Sequence, residues 1–310
     1  MVLIILIHVT VYFRDNIVAR TLWEYSQVAV PIFVFCSAYI YFSRTKQEHF
    51  SISYFWKRIK RLVLPYYFFL LILFLYNIFL KKIPFNFDSI VRKILFLNIS
   101  SRDIDWLVVL FLYFMILMPL IRILGEKKRL LWIFAGIGFV SSIILLFITT
   151  EIAFRLVMWL PWSIVLIVSY LIVRYEHIRW FMPISMVSFA AIYFLSRIIL
   201  IQSGQSVVLT ENKYPPNIFY LSYGIFLLLI TYRGCSYIRS LPSILQKAVN
   251  FLSSYSYSIF FIHFLLLYYF LDFTDYKKMQ WWELFGYVLV GTVAIQLAIN
   301  HIQKFISSRY

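Results

Sequence analysis

The sequence predicts an all-α polytopic membrane helix bundle of about ten transmembrane helices. Three observations predict it. The 310-residue chain is 63% hydrophobic and 21% aromatic with only 14% charged residues, and a water-soluble domain has too little interior to hide that much apolar surface. The apolar residues fall into long runs bounded by charges or Pro/Asn clusters. The basic residues are divided unequally among the segments between those runs.

The first run is Met1–Phe13, MVLIILIHVTVYF. As a helix it covers about 20 Å of a hydrocarbon core that is about 30 Å thick. It lacks the basic flank and small-residue cleavage site of a signal peptide. It reads as the end of a first helix truncated at its N-terminus. The remaining runs lie near Val28–Phe42, Leu62–Leu80, Trp106–Ile121, Leu130–Thr150, Ile152–Val173, Trp180–Ile201, Asn217–Thr231, Val249–Leu271 and Trp282–Ile306. Residues 1–310 read as one integral-membrane domain without a repeat of fixed period. Richness in Ile, Phe, Tyr, Lys and Asn suggests an AT-rich bacterial genome.

Charge sets the orientation. With a cytoplasmic N-terminus and alternating helices, the inner segments hold 17 cations and three anions, and the outer segments ten of each. Basic residues concentrate on the cytoplasmic side of membrane proteins. Ser43–Arg61 is then the longest inner loop, while Lys81–Asp105 and Ser203–Asn217 are outer. The amphipathic stretch Ile90–Leu97 suits the membrane interface. The net charge of +16 thus reflects topology, and no soluble domain remains to bind nucleic acid. Cys36 and Cys235 fall on opposite sides, so a disulfide is not expected. The five histidines do not approach metal-ligand spacing, and no Gly-rich phosphate loop or nucleophile elbow is present.

Four groups of residues could carry chemistry. His8 is an ionisable side chain inside an apolar run, the default mark of a membrane functional site, and histidine is the side chain whose unperturbed pKa lies nearest neutral. The plain alternative is a hydrogen-bonded structural histidine. Lys57-Arg58-Ile59-Lys60-Arg61 precedes Leu62-Val63-Leu64-Pro65-Tyr66-Tyr67, with Arg58 and Arg61 on one helical face. Arg forks suit phosphates, while an anchor for anionic headgroups is the plain alternative. His263 follows Ser256 by seven residues, two turns along one face; a hydrogen bond to a neighbouring hydroxyl would explain it equally. At the outer rim, Asp103, Asp105 and Trp106 open one helix, Tyr113 lies two turns on, and Glu151 and Arg155 can pair at i, i+4. Such a rim suits a sugar or an interfacial aromatic belt.

Taken together, these segments resemble acyltransferase family 3, the membrane-bound bacterial O-acyltransferases. The family's first helix ends in a pattern like L-x-x-x-x-V-x-x-x-H, similar here to Leu3–His8. Its second reads like V-P-x-F-F-x-x-S-G, matched by Val30-Pro31-Ile32-Phe33-Val34-Phe35-Cys36-Ser37-Ala38. Its third opens like K-R-x-x-R-L-x-x-P-Y, matched by Lys57–Tyr66. Its fourth resembles W-F-x-x-x-L-x-x-Y-x-x-x-P, here Trp106 through Tyr113 to Pro119. Its ninth resembles Y-S-x-x-I-Y-x-x-H, here Tyr255-Ser256 through Ile259-Phe260 to His263. The motifs are individually weak, and their joint order covers nearly the whole chain. The Tyr214-Pro215-Pro216 loop is similar to that of the exopolysaccharide-modifying subgroup, which includes the intercellular-adhesin O-succinyltransferase type. Three departures stand out. The family's Arg upstream of the first-helix His would precede Met1, Ala38 replaces a Gly, and the Gly expected late in the sixth helix is missing from Ser163–Val173.

The resemblance implies transfer of an acetyl or similar short acyl group from cytoplasmic acyl-CoA, a cosubstrate, to a hydroxyl of an extracytoplasmic glycan, with no bound cofactor or metal. It makes His8 the general base or acyl relay. Lys57, Arg58 and Arg61 would hold the donor, and Trp106, Tyr113, Glu151 and Arg155 the acceptor. Ser37, Ser256 and His263 would play supporting roles. Membrane lipid, acyl-CoA and the glycan are the implied partners, with a polysaccharide synthase complex as a candidate partner, in a bacterial cell membrane. Two other readings stay open: an exporter of polysaccharide or lipid-linked sugar without acyl chemistry, and an inactive truncated subunit of a polysaccharide synthase.

Overall fold

The computed structural model describes residues 1–44, 51–84, 86–98, 103–148 and 154–308. They form α1 (Val2–Thr10), α2 (Ile17–Tyr25), α3 (Ala29–Ser43), α4 (Ile52–Phe79), α5 (Phe87–Ile94), α6 (Asp105–Glu126) and α7 (Lys128–Ile144). Then follow α8 (Phe154–Val157), α9 (Trp159–Tyr175), α10 (Phe181–Gln202), α11 (Ile218–Gly234), α12 (Ser243–Ser254), α13 (Ser256–Phe273) and α14 (Trp281–Ser307). The described residues contain no β-strand, and eight helical stretches among them are long and apolar enough to cross a membrane. The chain is an all-α polytopic membrane protein. The other two expected runs are shorter: Val2–Phe13, and α7, whose 17 residues rise about 26 Å. Large apolar side chains stand exposed along α10, among them Ile184, Val187, Phe194, Leu195, Ile198 and Ile201. Such a face is costly in water and unremarkable against lipid tails.

Three boundaries differ from those read in the sequence. The run expected at Val28–Phe42 is preceded by α2, which the charged residues around it disguise; the Asn16 Oδ1 accepts from the Val18 and Ala19 N–H groups, at 2.9 and 3.1 Å, and starts the helix. Residues 52–61, expected in an inner loop, are the first turns of α4. The basic cluster is therefore helical. The run expected at Val249–Leu271 is two helices divided at Tyr255, where the Ser253 hydroxyl donates to the Asn250 carbonyl at 3.0 Å. Elsewhere local chemistry agrees with the pattern. Asn86 caps α5, and the Tyr66 and Tyr67 hydroxyls donate to the terminal Lys93 and Ile94 carbonyls at 3.1 Å each. A capping box between Gln280 and Glu283 opens α14.

The chain divides into two compact units, each drawn from separated stretches of sequence. The first comprises Met1–Ala29, Phe68–Lys81 and Gly234–Tyr310. Its core joins Ile5 and Val9 of α1 with Ile259 and Leu267 of α13 and Leu284 and Val288 of α14. The second comprises Val30–Tyr67 and Lys82–Arg233. Here small residues let helices approach: a Cβ on Gly224 would lie 2.5 Å from Pro31 Cγ, and one on Gly138 3.1 Å from Ser163 Oγ.

Candidate active site

In the first unit the two motif histidines meet. His8 Nδ1 and His263 Nε2 are 3.0 Å apart. His263 is fully buried, while His8 is partly exposed. The side chain that partners His263 is thus a histidine rather than a neighbouring hydroxyl. Phe264 packs against both rings, with centroids 4.4 Å from His8 and 4.3 Å from His263. Leu267, one turn beyond His263, joins Ile5 and Val9 in the same core, so apolar packing fixes the faces that carry the pair. Ser256 begins α13, half-buried.

In the second unit, Arg58 leaves the rest of its basic cluster. Its guanidinium lies 5.2 Å from the Tyr41 ring centre and 5.1 Å from that of Tyr54, and its Nη1 reaches Met118 Sδ at 3.7 Å. Lys57 and Arg61 are exposed. Arg122 sits over the same Tyr41 ring, 5.2 Å away, and donates to the Phe42 and Arg44 carbonyls at 2.9 and 2.7 Å. Two guanidinium groups therefore share one aromatic ring. Tyr54 ties this group to a helix defect. Pro119 inside α6 removes the N–H that the Met115 carbonyl would accept, and the Tyr54 hydroxyl donates to that carbonyl instead, at 3.4 Å. Ser37 lies half-buried on α3.

The N-terminal end of α6 carries the other candidates. Trp106 is buried, with Tyr214 edge-on at 5.1 Å, and Phe154 packs on Tyr214 from 5.5 Å. Arg155 and Asp105 form a two-pronged pair at 2.8 and 2.7 Å, each side chain 2% exposed. Glu151, the expected partner of Arg155, lies outside the described residues. Tyr113 is half-buried farther along α6. From Trp106 to Met118 is 12 residues, or about 18 Å along the helix axis. The aromatic rim and the arginine cluster thus occupy opposite ends of α6.

Sequence reasoning missed Lys213. Its amine is buried, 5.4 Å from the Trp106 ring centre and 5.1 Å from that of Tyr214. The loop is rigidly built: Asn212 Nδ2 donates to the Ser206 and Val208 carbonyls at 2.9 Å each. Burial lowers the Lys213 pKa from the ordinary 10.5 to about 7. Between those values the unfolded chain binds a proton that the folded chain does not, so stability rises with pH across that interval and falls as pH drops toward 7. Lys213→Met is expected to melt at a higher temperature than the unaltered chain at pH 6, with the gap closing by pH 10. A gap that does not change with pH would contradict this account. Tyr41, Tyr54 and Arg122 were missed too, although Tyr54 and Arg58 at i, i+4 offered a local signal.

Among the described residues no group of three or more His, Cys, Asp or Glu side chains could hold a metal ion. Neither Cys36 nor Cys235 forms a disulfide. Comparison with curated proteins and with solved structures finds no match. The acyltransferase domain model matches residues 1–300, which takes in the histidine pair, the arginine cluster and the aromatic rim alike, and the chain accordingly belongs to acyltransferase family 3.

Proposed function

We propose that this membrane acyltransferase moves an acetyl or similar short acyl group from cytoplasmic acyl-CoA to a hydroxyl of an extracytoplasmic glycan, an exopolysaccharide or cell-wall polymer, in a bacterial cell membrane. The observation that carries the reading is the polarity of α6. One end holds two guanidinium groups around Tyr41, suited to the phosphates of a CoA ester. The other holds a buried Trp, a Tyr and an ion pair, suited to the faces and hydroxyls of a sugar. In the transfer, His8 takes the proton of the acceptor hydroxyl as its oxygen attacks the thioester carbonyl. The carbon–sulfur bond then breaks, and the thiolate leaves and is protonated, so the new ester and free CoA balance the donor and acceptor.

Membranes containing the chain are expected to move radiolabel from acyl-CoA to surface glycan, and membranes without it are not. An exporter would instead lose the polymer itself when the gene is removed, and that result would overturn the proposal. Sidedness is checked in a cysteine-free background. A cysteine at Gln205 should react with an impermeant thiol reagent in intact cells and one at Lys127 should resist it; both positions are exposed. The reverse pattern would invert the orientation.

The donor end makes its own prediction. Arg58→Ala should weaken acyl-CoA binding about tenfold to a hundredfold, the worth of a charge-assisted hydrogen bond. Arg58→Lys should recover part of it, because a point charge replaces a planar fork. Unchanged donor affinity in a titration of Arg58→Ala would leave this cluster a structural or lipid contact.

A further inference from the structure

His263 accounts for both of its ring nitrogens. Its Nδ1 lies 3.1 Å from the Ile259 carbonyl oxygen. A carbonyl only accepts, so Nδ1 carries hydrogen and donates. In a neutral ring the other nitrogen, Nε2, then holds a lone pair and accepts. That nitrogen faces His8 Nδ1 at 3.0 Å, so His8 Nδ1 is the donor. The hydrogen of a neutral His8 is then spent on Nδ1, and its lone pair is left at Nε2.

The rings have little freedom to escape this order. The His8 and His263 planes are inclined by 28° with centroids 5.1 Å apart. Phe264 lies against both, and Phe260 meets His263 from another side at 5.7 Å. A flip of His263 would surrender the Ile259 bond inside a fully buried site, where an unmet polar atom is costly.

We infer that His263 is a positioning residue: held by the Ile259 carbonyl, it fixes His8 in the tautomer with hydrogen on Nδ1 and so presents His8 Nε2 as the proton acceptor for the incoming hydroxyl. The inference rests on the reading of His8 as the base. Second-partner control of a histidine tautomer is a general device; here the partner is another imidazole.

The test uses the full chain in lipid nanodiscs. Histidine nitrogen-15 spectra of the unaltered protein, with the His8 signals assigned by their loss in His8→Ala, should show His8 protonated at Nδ1 and bare at Nε2. In His263→Leu, which keeps the apolar contacts and removes the acceptor, His8 should shift to the tautomer with hydrogen on Nε2. The same variant should lose about tenfold or more in kcat with the acyl-donor KM unchanged, a split that a merely loosened fold would not give. His263→Gln, whose amide oxygen can accept from His8, should regain much of the loss. A His8 ring protonated at Nε2 in the unaltered protein would overturn the inference whatever the activities. So would His263→Leu with full kcat beside an inactive His8→Ala. An active His8→Ala would instead sink the base assignment, and the spectrum would then decide the tautomer alone.

Discussion

His8→Ala is expected to abolish acyl transfer to glycan while the chain still accumulates in the membrane. Loss of a general base lowers rates by about 10² to 10⁴. Loss of one hydrogen bond between membrane helices costs only about 1 kcal/mol of stability. The two scales differ enough to separate a chemical role from a structural one. His8 stands on a helix whose packing comes from Ile5 and Val9, so the alanine chain keeps the contacts that hold α1 in place. Labelled acyl incorporation, normalised to protein inserted, is the measurement. Normal incorporation by a well-inserted His8→Ala chain would overturn the proposed mechanism.

The buried pair Asp105–Arg155 gives the second large effect, this time on stability. Both side chains are out of solvent, so neither can rehydrate when its partner is removed. Asp105→Leu or Arg155→Met alone should cost about 3–5 kcal/mol, because each breaks a buried ion pair by removing one partner. Replacing both together removes both charges and should restore most of that loss, since a buried ion pair and an apolar pair of like volume are often close in energy. Thermal unfolding of the two single variants and the double variant in the same detergent measures the coupling. Additive losses would show that the two groups act independently. The Trp106 and Tyr214 rim rests beside this pair, so a single variant that survives should also bind acceptor glycan poorly.

The apolar runs are legible because a membrane helix must satisfy its backbone internally over its whole length, and composition alone betrays that. Their ends are harder to see. The α2 helix hides behind Asp15, Arg20 and Glu24, though the Asn16 cap marks it. The helical start of α4 hides because Lys57–Arg61 looks like an anchor. Candidate residues are legible wherever chemistry contradicts its surroundings, as with His8 in its apolar run. Their partners are not. His8 and His263 are 255 residues apart, and Asp105 and Arg155 are 50 apart. No local periodicity links such positions. Lys213 looks like an ordinary loop cation, since its cover comes not only from the adjacent Tyr214 but also from Trp106 on a distant helix.

The interleaving of the two units gives the molecule an order in time. Translation completes every residue of the second unit once Arg233 has been made. The first unit has by then its N-terminal helices and the end of α4, but neither α13 nor α14. An unfinished chain therefore contains every residue of its arginine cluster and its aromatic rim before His263 has been made. Closing so long a loop carries an entropic cost that only the last helices can offset. The histidine pair is the signature of a chain made through α13: His8 and His263 can meet only then, whereas every residue of the arginine cluster and the aromatic rim is present once Arg233 has been made.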